Sequence, residues 1–556
     1  MWTNLQQGGR LGVLVAVIGV TTVAVARADV VTDWNSQVFT AVGGNSQRTL
    51  AMVHLAMFDA INAIEPRYRA YLSRPTPPDG ASPEAAAASA AYGVLVRVVP
   101  GQAAAWLTAL NASLAGIPDG QAKTDGVAFG DVVAKAIYDA RLGDNILIPG
   151  PLYVSTGLPG VYQLTTPGPP QPVNSGARTW VPFALASASQ FRPGPPPDLS
   201  SIRYARDVNE THDWGGTVSA FRSAHDDETA RWMTEQSPFS LNRVLRAEVA
   251  SDGKGLLAHA RIFALLNVAF MDAVIAVFDA KYTYLFWRPV TAIRNADVDG
   301  NDRTGLDASW SSYQVTPAHP EYPAAHGSVT TAGARVLERY FGQHYAFDAT
   351  SPAVPGVTRT YESFDAFAED AGWARIVGGM HFRNSIEVGQ RQGRSVANWV
   401  MGNILQPLDD TPAPHVRDAA PEIHALIQAG MAGSATFRAL VSELDASDVI
   451  VYVQPKLTRQ VLGGYLSHTI FAAASHRYLR VAIEIAGPPR SRVPVLAHEL
   501  QHAIEVSRVR GVRDAESLER LFAMLALPYG CAQTLCFETE AAKNVERLVR
   551  LEMSSR

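Results

Sequence analysis

The chain has 556 residues, of which 47% are hydrophobic and 18% charged. That is length for two or three domains with large buried cores, and it excludes a wholly disordered chain. The 47 Lys and Arg against 52 Asp and Glu leave a net charge of −5 with no basic block, which argues against nucleic acid as a partner. Lysine occurs only at Lys123, Lys135, Lys254, Lys281, Lys456 and Lys543, so a lysine held inside a motif stands out.

The N-terminus places Arg10 before an apolar run from Leu11 to Val25, followed by Ala26-Arg27-Ala28. This pattern predicts a secretory signal over 1–28 and a secreted or periplasmic chain; an uncleaved anchor is the alternative. No second uninterrupted apolar stretch of about 20 residues is expected, and hence no stable membrane insertion after cleavage. Cys531 and Cys536 fit either a small-loop disulfide or two inert thiols.

From Asp29 to about Leu142 the pattern is helical. The segment Arg48 to Ile64 is apolar nearly all round and stops before Pro66, as a buried helix does. Further helices are expected at 83–98, 102–115 and 121–141. Residues 146–200 are rich in Pro and Gly and read as a long wrapping segment. Helical periodicity resumes over 201–285, where Asn267-Val-Ala-Phe-Met-Asp272-Ala echoes His54-Leu-Ala-Met-Phe-Asp59-Ala. The echo points either to two related helical bundles or to chance similarity of two apolar helices. A loop is expected at 295–324, then helices at about 327–342, 361–374 and 381–404. Residues 406–424 read as a linker, with four prolines and mixed charge. Beyond it, Asp448–Val453 and Tyr478–Ile485 have the pattern of strands, with helices at 493–507 and 538–553. Residues 425–556 are thus expected to form a small α+β domain.

Three segments carry chemistry. They are Lys281-Tyr-Thr-Tyr-Leu-Phe-Trp-Arg288-Pro289, Pro323-Ala-Ala-His326-Gly-Ser at a helix start, and Arg375-Ile-Val-Gly-Gly-Met-His381. Singly, each has an ordinary explanation as flanking charge, helix start or core histidine. Together they suit an oxyanion with charge on its equatorial oxygens. Arginines grip such oxygens bidentately, a lysine adds a point charge, and a helix N-terminus offers N–H groups. Two histidines then supply a nucleophile or ligand and a general acid–base.

The order Lys-x6-Arg-Pro, Pro-Ser-Gly-His, Arg-x5-His resembles the motif set of the vanadium-dependent haloperoxidases and the related acid and lipid phosphatases. The resemblance extends over most of 30–405, through Trp34-Asn35, AMVHLAMFDAINAI, SQFRPGPPPDL and HPEYPAAHG. It implies a mainly α fold, a haloperoxidase-like double helical bundle over 29–405. It also implies vanadate as cofactor, with hydrogen peroxide, halide and a small organic substrate as reaction partners. His381 would bind vanadium or, in a phosphatase, attack phosphorus. Lys281, Arg288 and Arg375 would neutralise the oxyanion, Ala325 would offer its N–H, and His326 would be the acid–base. Two positions depart from the pattern. Ala324 stands where the family has Ser, removing a hydroxyl. Ser385 stands where the phosphatase pattern has an Asp that orients the last histidine, which favours the haloperoxidase reading.

In the second domain, Val495-Leu-Ala-His498-Glu499-Leu-Gln-His502 is an H-E-x-x-H on an apolar helix. Residues four apart share a helix face, so both imidazoles can meet one Zn²⁺ while Glu499 contacts its water as general base. Glu538 is the expected third ligand and Glu540 the reserve. Strands, an H-E-x-x-H helix and a later Glu helix resemble a minimal zincin metallopeptidase; an inactive or structural zinc site is the other outcome. The alternatives to a haloperoxidase are a phosphatase on the same site, a zinc peptidase as the main activity, and a non-catalytic oxyanion-binding protein.

Overall fold

The computed structural model describes residues 29–41, 46–72, 75–408, 414–456, 463–467, 469–473, 476–485, 488–527 and 538–554. Residues 1–28, where a secretory signal is expected, and both cysteines lie outside them. The chain divides into two compact units, Met1–Leu408 and Asp409–Arg556.

The first unit is helical. It runs through α1 (Val30–Ala41), α2 (Ser46–Ile64), α3 (Pro83–Val98), α4 (Ala103–Ala115) and α5 (Gln121–Ala140). It continues with α6 (Ile202–Gly215), α7 (Ala224–Trp232), α8 (Ser237–Val249), α9 (Leu256–Tyr284) and α10 (Pro289–Arg294). It ends with α11 (Ala325–Phe341), the hairpin β1 (Phe347–Thr350) and β2 (Thr358–Tyr361), α12 (Phe364–Val377) and α13 (Arg383–Asn403). Local chemistry sets several starts. Ser82 caps α3, with Pro83 in its first turn, and Ser201 and Ser363 cap α6 and α12 through their hydroxyls.

The expected helices over 29–405 are present. The hairpin was not read from the sequence, because its two four-residue strands are too short to display a period. Helix α9 is long and apolar enough to cross a membrane, with 94% of its most apolar window buried in the protein core. Asp272 and Asp279 interrupt the apolar run without lowering its mean hydropathy below the spanning range.

The echo between α2 and α9 has a structural meaning. These two buried helices pack on one another, and each uses its matching aspartate to hold an irregular strap. Asp59 accepts from the backbone N–H groups of Tyr71 (2.8 Å) and Leu72 (3.0 Å). Asp272 accepts from those of Phe183, Ala184 and Leu185 at 2.7–2.9 Å. The matching residues His54 and Asn267 join one buried polar cluster. Asn35 on α1 donates to His54 Nε2 and to Asn242 on α8, each at 2.8 Å, and Asn242 pairs with Asn267 at 3.0 Å. Such satisfied buried amides specify one mutual register of the helices, because any slip would leave them unpaired.

The second unit is α+β. It comprises β3 (Val416–Asp418), α14 (Pro421–Gly433), α15 (Ala435–Asp445), β4 (Val449–Pro455), β5 (Gly464–Leu466), β6 (Phe471–Ala473) and β7 (His476–Ile483). Helices α16 (Pro489–Ser507), α17 (Ala515–Leu525) and α18 (Glu540–Ser554) follow. The sheet order is β3-β4-β7-β5, with β3, β4 and β7 parallel and the short β5 and β6 antiparallel to β7. Val493, Leu496, Ala497, Leu500, Ala503 and Ile504 form the buried apolar face of α16. The expected linker 406–424 is shorter than predicted. Val416 pairs with Val451, so β3 and the start of α14 already belong to the second unit. A three-residue strand between prolines carries too little pattern to be read.

Candidate functional site

Five residues separated in sequence meet in the first unit. Lys281 lies in the last turn of α9, which ends on Leu285 in the left-handed conformation (φ +50°). The chain turns there so that Arg288 caps α10. His326 is the second residue of α11. Arg375 closes α12, and the backbone N–H groups of Met380 and His381 return to its carbonyl at 3.0 and 3.3 Å. Gly379 makes that return possible. Its φ is +73°, and a Cβ there would lie 2.2 Å from the carbonyl oxygen of Gly215.

Lys281, Arg288, Arg375 and His381 are buried, and His326 is half-buried with its Nε2 shielded from solvent. Arg288 is the hub. It donates to the carbonyl oxygens of His319 (2.7 Å) and Met380 (2.8 Å), to His319 Nδ1 (2.9 Å) and to His381 Nε2 (3.1 Å). Lys281 Nζ donates to the carbonyl oxygens of Pro320 and Glu321, both at 2.8 Å. Arg375 donates to the carbonyl of Met233, and its Nε is buried without a partner. His326 Nε2 and the Ser328 hydroxyl are likewise buried and unpartnered. Helix α11 begins at Ala325 with no side-chain cap, since Ala324 occupies the capping position. The first-turn N–H groups of an α-helix have no acceptor within the helix, so this buried end presents open donors.

The structure brings in a residue that motif reading missed. Glu321, fully buried, places Oε1 2.8 Å from His381 Nδ1 and 3.0 Å from the N–H of Phe382. This geometry fixes the tautomer of His381. A guanidinium only donates, so Nε2 must accept from Arg288; Nδ1 then carries the proton and donates to Glu321. The argument from Ser385 is therefore corrected. Its hydroxyl donates to the Glu321 carbonyl, at 3.4 Å, and the carboxylate that orients His381 comes from Glu321 instead. One signal could have found it: Glu321 is the sole acid between Asp307 and Glu338, inside HPEYPAAHG.

Burial sets the protonation states. It pushes the Glu321 carboxyl up to about 7, against the opposing pull of Lys281, the Phe382 N–H and Arg288. Burial, then neighbouring cations, holds His319, His326 and His381 well below the usual imidazole range. Burial, reinforced by Arg288, also holds Lys281 well below the lysine range, and burial lowers Arg288 and Arg375 to about 10. Among the described residues, no carboxylate lies within ion-pair distance of Lys281, Arg288 or Arg375. Glu321 acts on Lys281 and Arg288 as a counter-charge from beyond ion-pair distance, but one carboxyl pushed up to about 7 does not balance three buried cationic groups, so the pocket is matched to an anion. The unpartnered Arg375 Nε and His326 Nε2, together with the open start of α11, fit a tetrahedral or trigonal-bipyramidal oxyanion such as vanadate. At position 324 the family hydroxyl is replaced by a methyl group packed with Ile376 and Ile386.

In the second unit, His498, Glu499 and His502 lie on α16, all buried. The two imidazole rings are 4.9 Å apart, centre to centre. His498 Nε2 stands 3.3 Å from Glu538 Oε1, and His498 Nδ1 stands 3.2 Å from Glu546 Oε2. His502 Nδ1 is 2.9 Å from Glu505 Oε2. Burial raises the Glu499 carboxyl to about 7. Glu540 is exposed at the first position of α18. Among the described residues, no three His, Cys, Asp or Glu side chains are drawn together as a ready metal site. The expected zinc set of His498, His502 and Glu538 is thus adjacent but not closed, since nothing here compensates the repulsion of bringing its lone pairs together.

Residues 261–410, which include all five pocket residues and Glu321, match the VCPO second helical-bundle domain family. A stretch of 92 residues is 32% identical to the vanadium chloroperoxidase of Curvularia inaequalis, covering 15% of this chain and 14% of that protein. Among solved structures, the first bacterial vanadium-dependent iodoperoxidase superposes with a TM-score of 0.58 at 24% identity, over 68% of this chain and 96% of that one. A holo-type bacterial vanadium-dependent chloroperoxidase superposes with a TM-score of 0.52 at 21% identity, over 68% and 93%. The first unit has the vanadium-haloperoxidase fold.

Proposed function

We propose that this chain is a haloperoxidase-like enzyme, holding vanadate in the buried pocket and oxidising halide with hydrogen peroxide; the match of residues 261–410 to the VCPO second helical-bundle domain supports this reading. One observation carries the reading. His381 Nε2 offers its lone pair beside Arg288, within a pocket whose cations have no carboxylate partner among the described residues. Bound vanadate supplies the Lewis-acidic centre at which peroxide becomes an oxidant for halide.

The protein's own groups have separate tasks. His381 is the ligand, and Glu321 holds its Nδ1 proton so that the Nε2 lone pair stays available. Arg288, Lys281 and Arg375 balance the charge of the equatorial oxygens, with the N–H of Ala325 at the helix end. His326, neutral and unpartnered at Nε2, takes or returns a proton at that atom. The oxidised halogen then passes to a small organic acceptor.

A phosphatase is the second reading, and Glu321 is the observation that favours it. A carboxylate behind a histidine also serves a histidine that attacks phosphorus. The two separate in one assay of purified protein. With vanadate, peroxide and bromide, the protein should brominate a phenol dye, and His381→Ala should abolish this. Cleavage of phosphate monoesters without vanadate, and no bromination, selects the phosphatase.

A further inference from the structure

A cleft of about 790 Å³ lies in the first unit, walled by the proline-rich strap before α6 on one side and by α13 on the other. Neither Glu321 nor any of the five oxyanion-pocket residues lines it. We infer that this cleft is a separate binding site for an aromatic carboxylate that carries a phenolic hydroxyl.

Sequence spacing builds one wall. Asn384, Val388, Arg391, Gln392 and Ser395 recur three or four residues apart, so they share one face of α13, and all five line the cleft. The far face of the same helix packs on α11 through Gly389 and Gly393. A Cβ at either would meet a backbone oxygen, that of Ala324 at 2.6 Å or of Ser328 at 2.1 Å. Helix α13 therefore has the helix of His326 on one side and the cleft on the other.

The opposite wall is fastened in place. Gln392 Nε2 donates to the carbonyl oxygens of Phe191 (3.2 Å) on the strap and Ala276 (3.1 Å) on α9. Carbonyls only accept, so the atom between them is the amide nitrogen, and Oε1 is left as a buried acceptor without a donor. Further along the strap, the Tyr322 hydroxyl donates to the Gly194 carbonyl at 2.8 Å.

The lining has three chemical parts. Asn384 is only 7% exposed, and its side-chain amide makes no hydrogen bond among the described residues. With Gln392 Oε1 it offers a hydroxyl both a donor and an acceptor, and buried polar groups left unpaired are costly. Phe191, Tyr322, Val388 and the pyrrolidine rings of Pro193, Pro195 and Pro197 supply flat apolar surface for an aromatic ring. At the rim, charge selects the head group. Arg192 is held bidentately by Asp279 at 2.7 and 2.8 Å, Arg203 by Glu387 at 2.6 Å, and Asp198 Oδ1 accepts from Ser200. Exposed Arg391 alone of the lining cations has no carboxylate within ion-pair distance among the described residues. It acts electrostatically on the Tyr322 hydroxyl, which places it beside the aromatic wall. An unpaired guanidinium next to a ring grips a carboxylate bidentately.

The test titrates the full chain with 6-hydroxy-2-naphthoate and follows its fluorescence. Vanadate, peroxide and halide are all omitted, so the outcome is distinct from that of the haloperoxidase assay. Saturable binding of one molecule per chain is expected. Arg391→Gln should weaken it by about five- to tenfold and leave 2-naphthol, which lacks the carboxylate, unaffected. 2-Naphthoate, which lacks the hydroxyl, should bind wild type about tenfold more weakly than the hydroxynaphthoate, and Asn384→Ala should shrink that difference. His381→Ala should change nothing, since the oxyanion pocket is not the site. No saturable binding, an affinity unchanged by Arg391→Gln, equal affinities for the two naphthoates, or loss of binding in His381→Ala overturns the proposal.

Discussion

Glu321 Oε1 stands 2.8 Å from His381 Nδ1, across a turn that brings the loop before α11 against the start of α13. This contact supplies from a different part of the chain the carboxylate that Ser385 fails to provide. It leaves His381 Nε2 as a permanent acceptor, aligned by the Arg288 guanidinium at 3.1 Å. Ligand strength at Nε2 therefore depends on a residue that never touches the oxyanion.

Glu321→Gln should lower vanadate affinity and bromination by about 10–100-fold, the usual effect of losing a carboxylate behind a metal-bound histidine. Glu321→Asp should recover part of the loss, and Glu321→Ala should be at least as damaging as Gln. Titration of vanadate against each folded variant measures this. Equal affinity in wild type and Glu321→Gln would remove Glu321 from the account.

The same residue predicts a pH dependence of stability. Burial raises its carboxyl from 4.5 to about 7, so the folded protein prefers the neutral acid. That contribution is fully present below 4.5 and is lost as pH rises through about 7. Glu321→Gln lacks this group. Its melting temperature relative to wild type should therefore climb as pH increases over that interval, in the absence of oxyanion. Thermal unfolding of both proteins at several pH values reads the difference directly, and a constant offset would contradict it.

Ala324→Ser should strengthen the pocket. The position is buried at the start of α11, and a hydroxyl there adds a donor to an anionic ligand. A hydrogen bond to a charged group contributes about 1.5 kcal/mol or more, roughly tenfold in affinity. The expected result is about tenfold tighter vanadate binding with little change in stability. Weaker binding would mean that the apolar contact with Ile376 and Ile386 matters more.

Gly379→Ala should be severely damaging although Gly379 carries no side chain. The new Cβ would meet the Gly215 carbonyl at 2.2 Å in a left-handed backbone conformation. The loss should exceed about 2 kcal/mol in denaturant unfolding, and it should displace His381, two residues on. A variant with wild-type stability would contradict the tight return after α12.

The helices were legible because long amphipathic or wholly apolar segments such as 48–64 and 256–284 repeat their pattern over several turns. The pocket residues were legible as motifs, since Lys281, Arg288, His326, Arg375 and His381 are types whose only shared use is an anion. Glu321 was not, because its role rests on a contact across sixty positions with no fixed spacing. Nor were β1, β2 and β3, each too short to show a period. The echo of Asp59 in Asp272 was visible, but its purpose was not. Binding a strap by backbone N–H groups leaves no mark on the strap's own sequence.

The most direct test of the central claim is a crystal structure of the protein soaked with orthovanadate. The account predicts vanadium bonded to His381 Nε2, its oxygens held by Arg288, Arg375, Lys281 and the N–H groups at the start of α11, with the Glu321 contact to Nδ1 kept. Vanadate bound elsewhere, or a pocket empty of it at saturating concentration, would contradict the account.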